Sequence, residues 1–82
     1  MTTRHAVRPE GVLHTLTTNF EVPAGTTAHS DFADLDLDSL VLIELAVVLR
    51  KQYGVEVAEH ELATAGTAAK VAELLSAKGA ND

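Results

Sequence analysis

Apolar and polar positions divide this chain into four helical segments joined by one long link and two short ones. Val12, Leu13, Leu16 and Phe20 recur at i, i+1, i+4 and i+8, which places them on one face of a helix. Pro9 suits the first position of that helix, where its missing N–H costs nothing, and the pattern runs out near Asn19 or Phe20. Gly11 weakens the segment slightly. Residues 1–8 carry little pattern and read as a flexible tail. Residues 21–38 lose the helical period. Pro23-Ala24-Gly25-Thr26-Thr27 and Ser30-Asp31 are turn chemistry, and no β-branched alternation marks a strand. So long a link in a small domain is functional or folded back on itself. Phe32, Leu35 and Leu37 are the side chains able to anchor it.

The second helix is predicted from Ser39 to Tyr53, with Gly54 as its stop. Asp38 or Ser39 can cap its start, and Arg50 and Lys51 sit in its last turns, where cations suit the helix dipole. Between Leu40 and Leu49 the only polar residue is Glu44. At 100° per residue, Leu42, Leu45, Ala46, Leu49 and Tyr53 form one stripe, sufficient for a core. Leu40, Ile43 and Val47 form a second stripe a third of a turn or more away, with Val41 and Val48 flanking Glu44. A helix apolar nearly all round should be buried on every side, yet a domain this small cannot enclose one of its own helices. The second stripe is therefore expected to reach water and to serve as a docking surface. After an extended link at 55–57, residues 59–63 allow a helix of one or two turns. Thr67 then caps a last helix through Val71, Ala72, Leu74 and Leu75, closed by Lys78-Gly79. The expectation is one all-α domain over 1–82, a four-helix bundle of three main helices and one short, with a long first loop.

Composition narrows what such a bundle does. Twelve acidic residues against six basic give a formal charge of −6, which argues against nucleic acid and anionic membranes as partners. No run is long and apolar enough to span a bilayer, and the first nine residues have no apolar stretch of a secretory signal. The reading is a soluble, cytoplasmic domain. There is no cysteine, hence no disulfide, thiolate metal site or thiol nucleophile, and His5, His14, His29 and His60 are too scattered to make a metal site. No metal is expected.

The chemistry gathers before the second helix. Asp34, Asp36 and Asp38 have the 1-3-5 spacing of a calcium loop, but the sixth position is Ser39 where glycine is needed, and the twelfth is Leu45 where glutamate is needed. Ser39 as a catalytic nucleophile would need a base and an oxyanion hole, and neither a nearby histidine nor a glycine elbow is present. Two roles remain for Ser39. It can be a plain helix cap, or a hydroxyl that another enzyme modifies. Its place between an acidic loop and an apolar docking face favours the second, since a modified serine needs only exposure and a surface for the modifying enzyme.

Leu35-Asp36-Leu37-Asp38-Ser39-Leu40 followed by Ile43-Glu44-Leu45 resembles the acyl carrier protein family. The similarity runs over residues 12–75 and takes in the Phe32 anchor, the Tyr53-Gly54-Val55-Glu56-Val57 helix end and the Thr67 opening of the last helix. The resemblance implies a monomeric carrier without catalysis of its own. Ser39, flanked by the motif residue Asp38, would bear 4′-phosphopantetheine, attached from coenzyme A by a phosphopantetheinyl transferase. Acyl groups would ride on that arm as thioesters, which accounts for a carrier without cysteine. Leu40, Ile43, Glu44 and Val47 would form the face that meets the transferase and a ketosynthase, acyltransferase or other acyl-processing enzyme. Asp36 stands where the family usually has glycine, so it must accept that backbone, as Asp can in the left-handed region. Arg50 and Lys51 stand where the family is often acidic. These departures point to a discrete carrier for polyketide or other secondary-metabolite biosynthesis. The alternatives are a fatty-acid carrier, an aminoacyl carrier of the D-alanyl type, or a helical adaptor in which Ser39 is only a cap.

Overall fold

The computed structural model describes residues 7–80, and within them the chain is all-helical: α1 (Pro9–Asn19), α2 (Ser39–Tyr53), α3 (Glu59–Ala65) and α4 (Ala68–Ala77). Helix α1 packs on α4, α2 on α3, and α3 on α4. Local chemistry sets the boundaries as the sequence predicts. Pro9 opens α1, Gly54 closes α2 in the left-handed conformation at φ 73°, and the Thr67 hydroxyl accepts the Lys70 N–H at the start of α4.

Three expectations need adjustment. The long first loop contains a single turn of 3₁₀ helix, Phe32–Leu35, which no periodicity announces. Helix α3 extends two residues past 63, because Gly66 supplies a left-handed end and the Glu61 carboxylate reaches back to accept the Ala58 N–H at 2.9 Å. Ala58 has no side-chain acceptor to return that bond, so only half of a capping box exists here. The proposed tail at 1–8 lies outside the described residues as far as residue 6. Val7, however, is buried, and its N–H donates to Ser76 Oγ at 2.9 Å on α4, so packing already begins there.

The core is one cluster. Val12 and Leu16 of α1, Leu42, Leu45 and Leu49 of α2, Leu62 of α3 and Val71 and Leu75 of α4 meet at its centre. Phe32, Leu35 and Leu37 close it from the loop side, in the anchoring role expected of them. Thr15 is the one buried polar residue described. Its Oγ1 lies 3.0 Å from the Gly11 carbonyl oxygen and 2.8 Å from the Gln52 carboxamide. A hydroxyl has one proton to give, so it donates to one of these two oxygens at a time. The pair ties α1 to the end of α2.

Glu61 joins three segments, since it also pairs with Lys78 Nζ at 3.1 Å beyond the end of α4. The Ala58 N–H first, and the Lys78 ammonium second, hold its carboxyl below the ordinary carboxylate value. A lowered native pKa gives stability that is present above the unfolded-state value and lost as pH falls through the native one. Glu61→Gln is therefore expected to lower the melting temperature at neutral pH, with the gap to wild type shrinking as pH falls through the carboxylate range. Thermal melts across pH measure this.

The two stripes of α2 predict opposite responses to truncation. Leu45→Ala, at a position with no exposure, is expected to cost about 3 kcal/mol in a urea melt. Ile43→Ala, half exposed, should cost less than about 1 kcal/mol. Similar losses at both positions would show that Ile43 is core.

Candidate functional site: the loop end and exposed face of α2

The site is assembled by the 3₁₀ turn. The Phe32 N–H donates to the Gly66 carbonyl at 2.8 Å, and the Ala69 N–H donates to the Ala28 carbonyl at 2.9 Å, so the loop is fastened at two points to the α3–α4 corner. The buried Phe32 side chain fixes it from the inside. Asp36 then turns the chain in the left-handed conformation, φ 57° and ψ 33°, and is the only residue other than glycine with positive φ among those described. This is the backbone that the sequence requires Asp36 to accept. A short polar side chain lowers the cost of that conformation without removing it. The turn lets the Leu37 N–H donate to the Phe32 carbonyl at 3.2 Å and buries the Leu37 side chain.

The chain straightens at Asp38, whose carboxylate Oδ1 accepts the Val41 N–H at 3.0 Å. Asp38 is therefore the N-cap. Ser39 is the first residue of α2, exposed, and its hydroxyl makes no hydrogen bond among the described residues. Of the two residues able to cap, the one with the carboxylate does so, and the hydroxyl is left presented to solvent. The capping role that the sequence allowed for Ser39 is corrected here. The positive end of the α2 dipole lies beside that hydroxyl, a favourable place for a phosphate ester.

The stripe beyond it lies where the sequence put it. Leu40 is 64% exposed, Ile43 50% and Val47 49%, and these are the large apolar side chains left in water among the described residues. Glu44 is exposed beside them, while Leu42, Leu45 and Leu49 are buried on the opposite side. Ser39, Leu40, Ile43, Glu44 and Val47 thus share one open face, and Asp38 stands at its end. Arg50 and Lys51 continue that face and are also exposed, with Arg50 Nε 4.0 Å from Glu56 across the turn. His14, His29 and His60 are exposed on other segments, and no group of three His, Cys, Asp or Glu side chains among the described residues is placed to hold a metal ion. None of the described helices is long and apolar enough to cross a membrane. What sequence reading missed is the fastening of the loop, the Phe32–Gly66 and Ala69–Ala28 bonds. The only trace of it in the sequence is the Phe32 anchor.

Residues 10–75 match the family model described as "Phosphopantetheine attachment site". The chain is 45% identical over 56 residues to polyketide-8 synthase acyl carrier protein 2 of Streptomyces avermitilis, covering 67% of this chain and 64% of that one. It is 39% identical over 62 residues to an acyl carrier protein of Rhodococcus erythropolis, covering 71% of this chain and 68% of the other. The match thus spans just under two thirds of the first relative's length. No solved structure gave a significant match.

The division of labour between Asp38 and Ser39 can be measured. Asp38→Ala is expected to lose about 1 kcal/mol of stability with the cap. Ser39→Ala removes a hydroxyl without a partner and should fall within about 0.5 kcal/mol of wild type. Chemical denaturation of the two variants provides the comparison, and a larger loss for Ser39→Ala would reverse the assignment.

Proposed function

Since this chain belongs to the acyl carrier protein family, with its phosphopantetheine attachment domain, we propose that Ser39 is the residue that bears the 4′-phosphopantetheine arm. The single observation that carries the assignment is that the Asp38 carboxylate takes the capping bond and leaves the Ser39 hydroxyl exposed and without a hydrogen bond among the described residues. The arm, when bound, supplies a terminal thiol on which an acyl group is held as a thioester. The chain itself contributes the attachment oxygen, a rigid helix start to hold it, and an apolar face beside it. In this reading the chain is one carrier domain over 1–82, a monomeric carrier and substrate for other enzymes, acting in the cytoplasm.

Leu40, Ile43, Glu44 and Val47 are the docking residues in this reading. They adjoin Ser39 on one face, and each large apolar residue among them is left about half exposed or more. A phosphopantetheinyl transferase meets this face first, and a ketosynthase, acyltransferase or other acyl-processing enzyme meets it afterwards. The pathway we favour is polyketide biosynthesis, supported by the likeness to the polyketide-8 synthase carrier.

Incubation with coenzyme A, Mg²⁺ and a broad-specificity phosphopantetheinyl transferase is expected to raise the intact mass by one phosphopantetheinyl group. Ser39→Ala should abolish the shift, and Ile43→Asp should slow it at least several-fold while circular dichroism stays helical. An unchanged wild-type mass with a competent transferase would instead favour a helical adaptor in which this end of α2 has no attached group.

A further inference from the structure

The exposed face of α2 has a charge polarity along its length as well as an apolar centre. At 100° per residue, Leu40, Ile43, Val47 and Lys51 continue one line, Glu44 lies beside its first half, and Arg50 is seven residues beyond Ile43 on the same side. At the Ser39 end the neighbouring charges are carboxylates, Asp38 and Glu44 on the helix start and Asp36 just before it, all exposed. At the other end, about 18 Å away along the axis, the helix carries a guanidinium and an ammonium, with the Glu56 carboxylate beyond the turn as the one acid paired there among the described residues.

The helix dipole explains why cations are tolerated in the last turn of α2, but it acts along the axis and does not choose a side. Here both cations fall on the face that the core leaves open. Arg50 reaches Glu56 only at 4.0 Å, with both side chains largely in water, an exposed pair of the kind that holds neither charge firmly. The end of the face therefore presents positive charge to whatever covers it, in a molecule whose net charge is −6.

We propose that the enzyme surface which docks on α2 is itself bipolar: basic near the entrance that receives the arm, apolar at the centre, and acidic about 18 Å from that entrance, opposite Arg50 and Lys51. This rests on the docking reading given above and adds the chemistry of the partner to it. A uniformly basic enzyme surface matches Glu44 and Asp38 but sets like charges against Arg50 and Lys51. Like charges brought together at an interface suppress association and so discriminate between partners.

The test uses the whole chain loaded with a phosphopantetheine analogue ending in an electrophile that alkylates a ketosynthase nucleophile. Two purified ketosynthases serve as probes, one with a uniformly basic carrier-docking surface and one with carboxylates at its distal end. Intact mass first establishes that Ser39 carries the analogue. The rate of cross-linking is then followed at low and high salt. Wild type is expected to couple to the bipolar enzyme on the order of tenfold faster than to the basic one, with the difference shrinking as salt screens it. The double substitution Arg50→Glu, Lys51→Glu should reverse the preference, and Arg50→Gln, Lys51→Gln should largely erase it, with circular dichroism confirming both folds. Equal rates with the two enzymes, or a preference that survives either double substitution, would overturn the proposal while leaving Ser39 as the attachment point. Failure of the wild type to load would overturn the attachment reading, and this inference with it.

Discussion

A fifteen-residue helix that is apolar nearly all round cannot be enclosed by a chain of 82 residues, and the arrangement of this molecule follows from that mismatch. The core takes the side with Leu42, Leu45 and Leu49, all at 4% exposure or less. Val41 and Ala46 form half-buried shoulders against it. With α3 packed against α2 and the loop residues Phe32, Leu35 and Leu37 in the same core, none of the described elements covers Leu40, Ile43 and Val47. Their side chains add little to folding stability, because about half or more of each stays in water. The same atoms gain their full apolar transfer only when another molecule excludes the water, which is why such a stripe is better explained by association than by folding.

The start of α2 solves a second problem. A helix N-terminus is stabilised by a side-chain acceptor, and a carrier needs a hydroxyl that can be esterified. If one serine served both ends, attaching a group to its oxygen would take away the cap, at about 1 kcal/mol. Here Asp38 supplies the cap, and the following serine is released from structural duty. That separation depends on Asp36, two residues before the cap. The left-handed turn at Asp36 reverses the chain so that Leu37 enters the core and Asp38 arrives extended, ready to cap. Two hydrogen bonds from the loop to the α3–α4 corner and the buried Phe32 keep the turn in place. The position of the hydroxyl is thus set by contacts more than twenty-five residues away in sequence.

What could be read from the sequence divides along the same line between local and distant causes. The ends of α1, α2 and α4 were legible because Pro9, Gly54 and Thr67 act on their own immediate backbone. The core and exposed stripes of α2 were legible because helical periodicity fixes azimuth, and only one side can face a small core. The choice between Asp38 and Ser39 as cap was not, since either oxygen can accept the Val41 N–H and the backbone after Asp36 decides between them. The 3₁₀ turn at Phe32–Leu35 and the packing of Val7 on Ser76 were hidden for a related reason. Both depend on partners supplied by remote segments, and neither leaves a periodic trace.

The net charge of −6 describes this molecule at long range, where it keeps copies apart and draws in basic surfaces. At contact distance the relevant charges are those within a Debye length of the docking face, roughly 8 Å at physiological salt. The Ser39 end and the Arg50–Lys51 end are about 18 Å apart, farther than that screening distance, so under the docking proposal an enzyme would meet them as two separate patches of opposite sign. Long-range attraction through the acidic excess brings a basic partner toward the face in either orientation. The cations at the far end of α2 then disfavour the reversed pose, in which the partner's basic entrance would lie over Arg50 and Lys51. In the proposed docking, orientation and selection of the partner would therefore arise from the same two residues, with the apolar stripe between the patches holding the pose.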